Sequence, residues 1–158
     1  TVPGLVAPVA RLGQAGSLAI GQMLSALGYT GGLGIQSSDG EVVGWGNNNY
    51  GQCTVPVPVS AGGCTQLAAG WTHSLALLGD GTIVAWGTIT AGQCDVPTLP
   101  PGLTYLQVRA GFEHSTALRS DGEVVCWGDN TFGQCTPPAL PVGTQYTVLG
   151  VGFYYTMA

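Results

Sequence analysis

An all-β fold made of repeated units is predicted by three observations on the sequence. The phrase Asp-Gly-x-x-Val-x-Trp-Gly occurs three times, beginning at Asp39, Asp80 and Asp121, so its copies are 41 residues apart. The phrase Gly-Gln-Cys follows each copy at the same distance. The 158 residues include 27 Gly and 10 Pro, and only 7% are charged, which is typical of a turn-rich chain. Because a fixed period in this range is the signature of stacked or radial repeats, it decides the fold class.

Each unit is predicted to contain two strands joined by a tight turn. A long strand comes first, at Leu67–Leu77 and Leu106–Leu118 in the two clearest copies. An Asp-Gly turn follows, which is a strong hairpin signal, and then a short Val-rich strand that ends in Trp-Gly. One position of this second strand always carries a small residue, which is Gly44, Ala85 or Cys126. The alternation favours a sheet that packs on both faces, tightly on one of them.

The rest of each unit is predicted to be irregular. A polar loop follows Trp-Gly, at Asn47–Tyr50, Thr88–Ala91 and Asp129–Phe132. A proline-containing link follows Gly-Gln-Cys, at Val55-Pro56, Val96-Pro97 and Pro137-Pro138. Because proline cannot donate to a central strand ladder, these links belong at the edges of sheets or between them. No helix is predicted.

One domain is predicted, with an irregular first part. Residues 36–158 contain three regular repeats and the first strand of the next. Residues 1–35 contain a truncated repeat, because two copies of the long-strand pattern lie 15 residues apart, at Gly13 and Gly28, with the hairpin near Gly21 missing between them. Thr1–Pro3 matches Thr54–Pro56, and Gly152–Ala158 matches Gly111–Ala117. Both ends therefore fall inside repeats, and we expect a fragment.

The charge of the chain and the lengths of its apolar runs argue against two kinds of partner. Three arginines and no lysine stand against eight acidic residues, which gives a net charge of −5 and an isoelectric point near 4.4. Non-specific nucleic-acid binding depends on neutralising phosphates with basic side chains, so no nucleic acid is predicted as a partner. No run of apolar residues approaches the roughly 18 to 20 that a membrane-spanning helix needs, so no membrane is predicted either.

Four of the five cysteines are predicted to be small buried packing residues, and the pairing of Cys64 is left open. Cys53, Cys94 and Cys135 hold one repeat position in successive units, and units are farther apart than the roughly 7 Å between Cα atoms that a disulfide tolerates. Cys126 fills the small position of its strand. Cys64 has no periodic explanation, and a bridge from Cys53 to Cys64 is the alternative. No Cys-x-x-Cys pair occurs, so no metal site is predicted.

The repeat resembles that of the regulator of chromosome condensation family. The resemblance rests on the string Gly-aromatic-x-His-Ser-x-Ala-Leu, then Asp-Gly-x-x-Val-x-Trp-Gly, then Gly-Gln-Cys, and it covers about Leu24 to Ala158. The compact period looks most like the short-blade bacterial branch, which includes a β-lactamase-inhibiting propeller. Members typically form a seven-bladed β-propeller with four-stranded blades. The resemblance implies an incomplete ring of about three and a half blades, which a longer parent chain or self-association would close.

No catalytic residue and no cofactor are predicted. His73 and His114 hold the same repeat position, and a repeat places like groups on separate blades, whereas a catalytic site needs different groups at one atom. We therefore expect these histidines to make structural hydrogen bonds. The aspartates of the Asp-Gly turns are interpreted in the same way. No glycine-rich phosphate-binding loop is convincing, because Gly31–Gly34 lacks the third glycine and the strand-to-helix setting.

Binding residues are predicted among the aromatic side chains. An aromatic follows the repeat glycine in successive units, and the polar loops contribute two more; the set is Tyr29, Trp71, Phe112, Phe153, Tyr154, Tyr50 and Phe132. Aromatic side chains supply large contact areas and dominate interface hot spots. In the short-blade inhibitor these loops line the face that holds its partner, so the resemblance implies a similar face here. The alternative is that these aromatics only cover the end of the core.

The predicted function is therefore non-enzymatic binding of a protein partner through one face of a propeller. Guanine-nucleotide exchange on a small GTPase is one alternative, since it is the activity of the nuclear founder of the family. That founder has longer blades and a protruding loop, and this sequence matches neither. A purely structural surface scaffold is the other alternative, favoured by the low charge and the high glycine content. Since a fold does not fix a function, this ranking depends on the resemblance.

Overall fold

The computed structural model describes residues 25–27, 31–36, 41–60 and 63–158. The predicted truncated repeat near Gly13, and Tyr29, lie outside these residues. In chain order the elements are β1 Ser25–Leu27, β2 Gly31–Gln36, β3 Glu41–Gly46, α1 Val57–Ser60, β4 Cys64–Ala69, β5 His73–Leu78, β6 Ile83–Gly87, β7 Tyr105–Ala110, β8 His114–Arg119, β9 Val124–Gly128, β10 Gly150–Val151 and β11 Thr156–Met157. The all-β prediction is confirmed.

One short helix was not predicted. The helix α1 is a single turn of four residues that directly follows Pro56. The amide of Val59 donates to the carbonyl of Pro56 (3.0 Å), and the side chain of Val59 is fully buried beside Leu67 and Trp86. Proline is well tolerated at the start of a helix, so the link turns once in order to bury Val59.

The strands form small antiparallel sheets, which we call blades. The first blade is β1-β2-β3, the second β4-β5-β6 and the third β7-β8-β9, and the pair β10-β11 is the fourth. The four strands per blade that the resemblance implies are not found in the described sheets, which have two or three strands. The Gly-Gln-Cys segments instead link blades, because Gln52 and Gln93 direct their carbonyls to side chains of the next blade.

The long strand predicted at the start of each unit is two strands. In the second blade β4 ends at Ala69 and β5 begins at His73, and the amide of Gly70 donates to the carbonyl of His73 (2.9 Å) to close the turn between them. The third blade turns in the same way at Gly111. Glycine is needed here because a Cβ on Gly70 would stand 2.7 Å from the carbonyl oxygen of Gly111. The aromatic residue after each glycine is thereby placed in a loop.

Two of the three predicted Asp-Gly hairpins are present, and the third, at Asp39, lies outside the described residues. Oδ1 of Asp80 accepts hydrogen bonds from the amide (2.9 Å) and the hydroxyl (2.7 Å) of Thr82, and Oδ1 of Asp121 accepts from the amide of Glu123 (3.2 Å). The glycines after these aspartates have φ of 82° and 83°, a region that residues with a Cβ rarely adopt. The turns join β5 to β6 and β8 to β9, with Ser74 opposite Trp86 and Ser115 opposite Trp127.

The core lies between blades. One cluster joins the first and second blades through Val42, Leu67, Ala76 and Trp86. The other joins the second and third through Leu75, Val108, Ala117 and Trp127. Both tryptophans are 8% exposed, whereas Trp45, at the same position in the first described blade, is 51% exposed. A buried tryptophan between blades thus accounts for the Trp-Gly phrase.

The cysteine prediction is wrong for one pair. Cys126 and Cys135 form a disulfide with their Cα atoms 5.0 Å apart, nine residues apart in sequence. The small position of each second strand lies beside the Gly-Gln-Cys segment of its own unit: a Cβ on Gly44 would stand 2.8 Å from the Cα of Cys53. The prediction compared cysteines between units and missed this contact within a unit. Cys53, Cys64 and Cys94 are free, so the alternative bridge is wrong as well.

Candidate functional site

The aromatic loops of three successive blades lie side by side. The amide of Trp71 donates to the carbonyl of Phe112 (3.4 Å), and the amide of Phe112 donates to the carbonyl of Phe153 (3.2 Å). The main chains of these loops are therefore linked from blade to blade. Each loop sits between two paired strands, so its position is fixed by the sheet beneath it.

The side chains of these loops form a continuous aromatic stack. The ring centroids of Trp71 and Phe112 are 5.0 Å apart, and those of Phe112 and Phe153 are 4.4 Å apart and nearly parallel. Tyr154 meets Phe153 edge-on at 5.0 Å, and Phe132 lies 5.1 Å from Tyr154. These distances are typical of favourable aromatic pairs. We call these five residues the aromatic face.

Exposure differs along the aromatic face. Trp71, Phe112 and Phe153 are half-buried, whereas Phe132 is 69% and Tyr154 45% exposed. The half-buried rings cover the blade ends, as the alternative interpretation expected, and the exposed pair extends their surface into solvent. Three of the rings therefore cover the core, and partner binding by the aromatic residues stays a prediction.

Five of the seven predicted binding residues come together. Tyr50 is exposed in the loop of the first blade that corresponds to the loop of Phe132, and no ring contact joins it to the aromatic face among the described residues. Tyr29 lies outside the described residues. The grouping of the other five depends on the stacking of blades, which a repeat position alone does not give.

The loop that carries Phe132 is held by its own polar groups. The amide of Phe132 donates to Oε1 of Gln134 (2.9 Å), and Nε2 of Gln134 donates to Oδ2 of Asp129 (2.7 Å). Hydrogen bonds from Thr131 hold the pKa of Asp129 below its usual value. The Cys126–Cys135 disulfide closes the base of the same loop. Phe132 is therefore presented on a well-ordered support.

The two histidines lie beneath the loops and link blades. Nε2 of His73 is 2.9 Å from the hydroxyl of Ser115 in the third blade, and Nε2 of His114 is 3.3 Å from the hydroxyl of Thr156 in the fourth. Both side chains are fully buried. Burial, with the nearby His114, lowers the pKa of His73 to about 4, and burial also lowers the pKa of His114. Neutral, buried imidazoles that bridge separate blades fit the structural role that the sequence indicated.

Sequence reasoning missed the role of the repeat glutamine. The carbonyl of Gln52 accepts hydrogen bonds from the Ser74 hydroxyl (2.8 Å) and the Trp86 indole (2.9 Å) of the next blade. The carbonyl of Gln93 accepts from Ser115 and Trp127 at the same two distances. The repetition of Ser, Trp and Gln at constant spacing was a visible signal, but their contact crosses from one unit to the next.

The free thiols are poorly suited to nucleophilic chemistry. Burial raises the pKa of Cys64 and of Cys94 to about 11, so both are protonated at neutral pH. Within the part of the chain that the structure describes, no three His, Cys, Asp or Glu side chains are grouped as metal ligands. The same part contains no helix long and apolar enough to cross a membrane.

Comparison with known proteins identifies the repeat. Residues 64–93 and 106–134 match the family described as the regulator of chromosome condensation (RCC1) repeat. These segments contain the second and third blades up to their Gly-Gln-Cys phrases. No curated protein matches the chain significantly.

Solved structures resemble the chain over most of its length. The CRINKLY ectodomain of the receptor kinase ACR4 from Arabidopsis thaliana is 26% identical, with a TM-score of 0.61 over 84% of this chain and 44% of that protein. Prp20p from Saccharomyces cerevisiae is 25% identical, with a TM-score of 0.62 over 84% of this chain and 36% of that protein. The receptor kinase CR4 ectodomain from Physcomitrella patens, 21% identical, matches 85% of this chain and 34% of that protein with a TM-score of 0.62, which shows the fold alone.

The chain is therefore an all-β protein of the β-propeller class. Its matched segments are regulator of chromosome condensation repeats, as the sequence resemblance indicated. The chain spans less than half the length of each of these solved relatives.

Proposed function

We propose that the chain is a non-catalytic module that binds a protein partner through the aromatic face. The observation that carries the proposal is the continuous stack from Trp71 through Phe112 and Phe153 to the exposed Tyr154 and Phe132. Exposed aromatic groups on a rigid support are typical of the centres of protein interfaces, because they bury much area and lose little rotamer freedom.

Two further features support the proposal. The main-chain hydrogen bonds between the loops of Trp71, Phe112 and Phe153 fix the face before a partner arrives, which lowers the entropic cost of binding. Prp20p, to which this chain is similar, has been described together with its binding properties to Gsp1p and histones.

The experiment is partner capture with matched variants. Phe132→Ala combined with Tyr154→Ala removes the two most exposed rings and leaves the half-buried ones in place. Leu106→Ala, which changes an exposed apolar residue on β7, is the control. Proteins captured from native extract by the parent chain should be lost with the double variant and retained with the control.

A second pair of variants tests whether the half-buried rings also contribute. Trp71→Ala combined with Phe112→Ala should abolish capture while the circular dichroism spectrum stays unchanged. Loss of the folded spectrum would assign these two rings to the core and restrict the site to Phe132 and Tyr154. Capture that survives both double variants would refute the aromatic face as the binding site.

Guanine-nucleotide exchange on a small GTPase is the second candidate, favoured by the similarity to Prp20p. A fluorescent-nucleotide release assay with a small GTPase measures it directly. An exchange factor should accelerate release in proportion to its concentration, and the Phe132→Ala, Tyr154→Ala variant should remove that acceleration. A release rate equal to the intrinsic rate would discard this candidate and leave partner binding unaffected.

A further inference from the structure

One position of the aromatic loops differs from blade to blade. It directly follows the loop aromatic and is held by Thr72, Glu113 and Tyr154 in the second, third and fourth blades, 41 residues apart. Glu113 is half-buried and follows Phe112. Its main-chain carbonyl accepts a hydrogen bond from the amide of Asp129 (2.8 Å). An acidic side chain therefore lies beside the aromatic face, in a blade that has described blades on both sides.

The carboxylate of Glu113 has no partner within the described part of the chain. No hydrogen bond or ion pair joins it to another described residue. Of the described arginines, Arg119 binds Asp121 and Glu123, and Arg109 donates to a main-chain carbonyl of its own strand. Partial burial costs a carboxylate some of its hydration, and no cation of the chain offsets that cost. A cation from outside the chain would offset it.

The side chain placed towards Glu113 by the preceding blade is small. In the next interval between blades, Phe132 of the polar loop lies 5.1 Å from Tyr154 of the following aromatic loop. Ala91 and Glu113 precede these two residues by 41. The aromatic loops are joined by the same main-chain hydrogen bond in both intervals, so the repeat places Ala91 towards Glu113. Because alanine lacks the ring of Phe132, room for a side chain is left beside the carboxylate.

The groups around this space favour one kind of side chain. The planar guanidinium of arginine can stack on an aromatic ring and donate two hydrogen bonds to one carboxylate. Cations are also attracted to the faces of aromatic rings, and the ring of Phe112 is next to Glu113 in the loop. Asp129 adds a second negative charge, because hydrogen bonds from Thr131 lower its pKa and keep it ionised.

We propose that the partner held by the aromatic face is a protein that inserts an arginine side chain between Ala91 and Glu113. The guanidinium binds the Glu113 carboxylate and stacks on Phe112, and neighbouring partner residues cover the exposed rings of Phe132 and Tyr154. This inference rests on the proposed function, because it names the chemistry of the partner at the same face. The net charge of −5 would also attract a basic partner surface.

The experiment uses the 158-residue chain and pools of random peptides on beads, each pool with one fixed central residue. The fixed residue is arginine, lysine, citrulline, leucine or glutamate, and citrulline has the shape of arginine without its charge. The amount of chain that each pool retains is measured at physiological salt. We expect the arginine pool to retain about tenfold more chain than the citrulline pool, with the lysine pool between them.

Variants of the chain locate the arginine. Glu113→Gln removes the charge and keeps the shape, so it should lower retention by the arginine pool to that of the citrulline pool. Glu113→Lys should move the preference to the glutamate pool. Glu123→Gln is the matched control, because it removes the same charge beyond the far end of β8, roughly 20 Å from Glu113 by the length of that strand. It should leave the preference for arginine unchanged.

Stability separates a binding role of Glu113 from a structural one. Because its carboxylate has no partner in the described chain, Glu113→Gln should leave the midpoint of thermal denaturation unchanged or raise it. A lower midpoint together with an unchanged preference for arginine would assign Glu113 to the fold and overturn the proposal.

Two further results would overturn the proposal. One is equal retention by the arginine and citrulline pools, including no retention by either, and the other is a preference for arginine that persists in Glu113→Gln. The first result comes from the parent chain and does not depend on the folding of any variant.

The proposed function can fail or survive separately. Native partner capture that is lost in the Phe132→Ala, Tyr154→Ala variant but kept in Glu113→Gln would retain the aromatic face and refute the arginine. Capture that survives both aromatic double variants would refute the aromatic face itself, and this proposal with it.

Discussion

The second and third blades have the same architecture but different local chemistry. Both contain three strands with the same pairing, and both have an irregularity at the start of the first strand, at Cys64/Gln66 and at Tyr105/Gln107. The third blade alone has a disulfide, and its polar loop has Phe132 where the second has Ala91. Residues that join blades, such as Ser115 and Trp127, have the same counterparts in the second blade, whereas the loop at the blade end differs. Repetition thus maintains the scaffold, and function is expected where the copies differ.

The largest effect should come from the tryptophans between blades. Trp127→Ala removes a buried ring and leaves the carbonyl of Gln93 without its indole donor, so we expect a loss of about 3–5 kcal/mol in the free energy of unfolding. Trp86→Ala should cost a similar amount. Trp45→Ala should cost much less, because that ring is already 51% exposed. Urea denaturation measures all three, and equal losses at Trp45 and Trp127 would contradict the role of burial.

The buried histidines should make stability fall in mild acid. The pKa of His73 is about 4 in the folded chain and near 6.5 when unfolded, so the unfolded state binds the proton more readily. The contribution of His73 is complete above about pH 6.5, declines as the pH falls towards 4 and then levels off, with a total near 3 kcal/mol. Denaturation midpoints between pH 7 and 4 measure it.

A matched pair of variants separates the two histidines. His73→Gln should flatten most of this acid dependence, and His114→Gln should flatten less of it, because the nearby Asp129 partly opposes the lowering of the pKa of His114. An unchanged slope in His73→Gln would show that another group is responsible.

Removing the disulfide of the third blade should lower the free energy of unfolding by less. Replacing Cys126 and Cys135 together by alanine removes a short closed loop, which we expect to lower the free energy of unfolding by roughly 2–3 kcal/mol. Dithiothreitol should do the same to the parent chain and nothing to the variant. The loop should keep its shape, because in the first blade Asn48 and Gln52 make the same hydrogen bonds without a disulfide. Thermal denaturation with and without reductant measures the effect, and an equal response in the variant would contradict it.

The smallest expected effect is a gain in the free energy of unfolding. It comes from a substitution that gives the second blade a disulfide like that of the third. Ala85→Cys places a thiol at the position of Cys126, nine residues before Cys94. We expect a second disulfide and a gain of up to about 2 kcal/mol. Mass spectrometry after alkylation should detect the bond, and Gly79→Ser, an exposed change in the same blade, is a control for substitution itself. An alkylated Cys94 in the Ala85→Cys variant would show that the two blades differ in backbone geometry.

The sequence predicted much of the scaffold because the scaffold repeats. The Asp-Gly turns at Asp80 and Asp121 and the Trp-Gly strands were located correctly, since turn chemistry is local. The long strand was misjudged, because the Gly70 turn depends on a close approach to Gly111 in the neighbouring unit. The disulfide was missed because the fold of a single unit brings Cys126 to Cys135. For the candidate site, the sequence named the aromatic residues but not which of them touch.

By itself, the sequence determined the period, the strand-and-turn content and the family of the repeat, because these follow from local propensity and from residues at fixed spacing. The tertiary structure decided the contacts between units. It joined Trp71, Phe112, Phe153, Tyr154 and Phe132 into one face, and it set His73 and His114 as neutral bridges between blades. The physical reason is that a unit cannot bury its own apolar face, so each blade is completed by groups from the next.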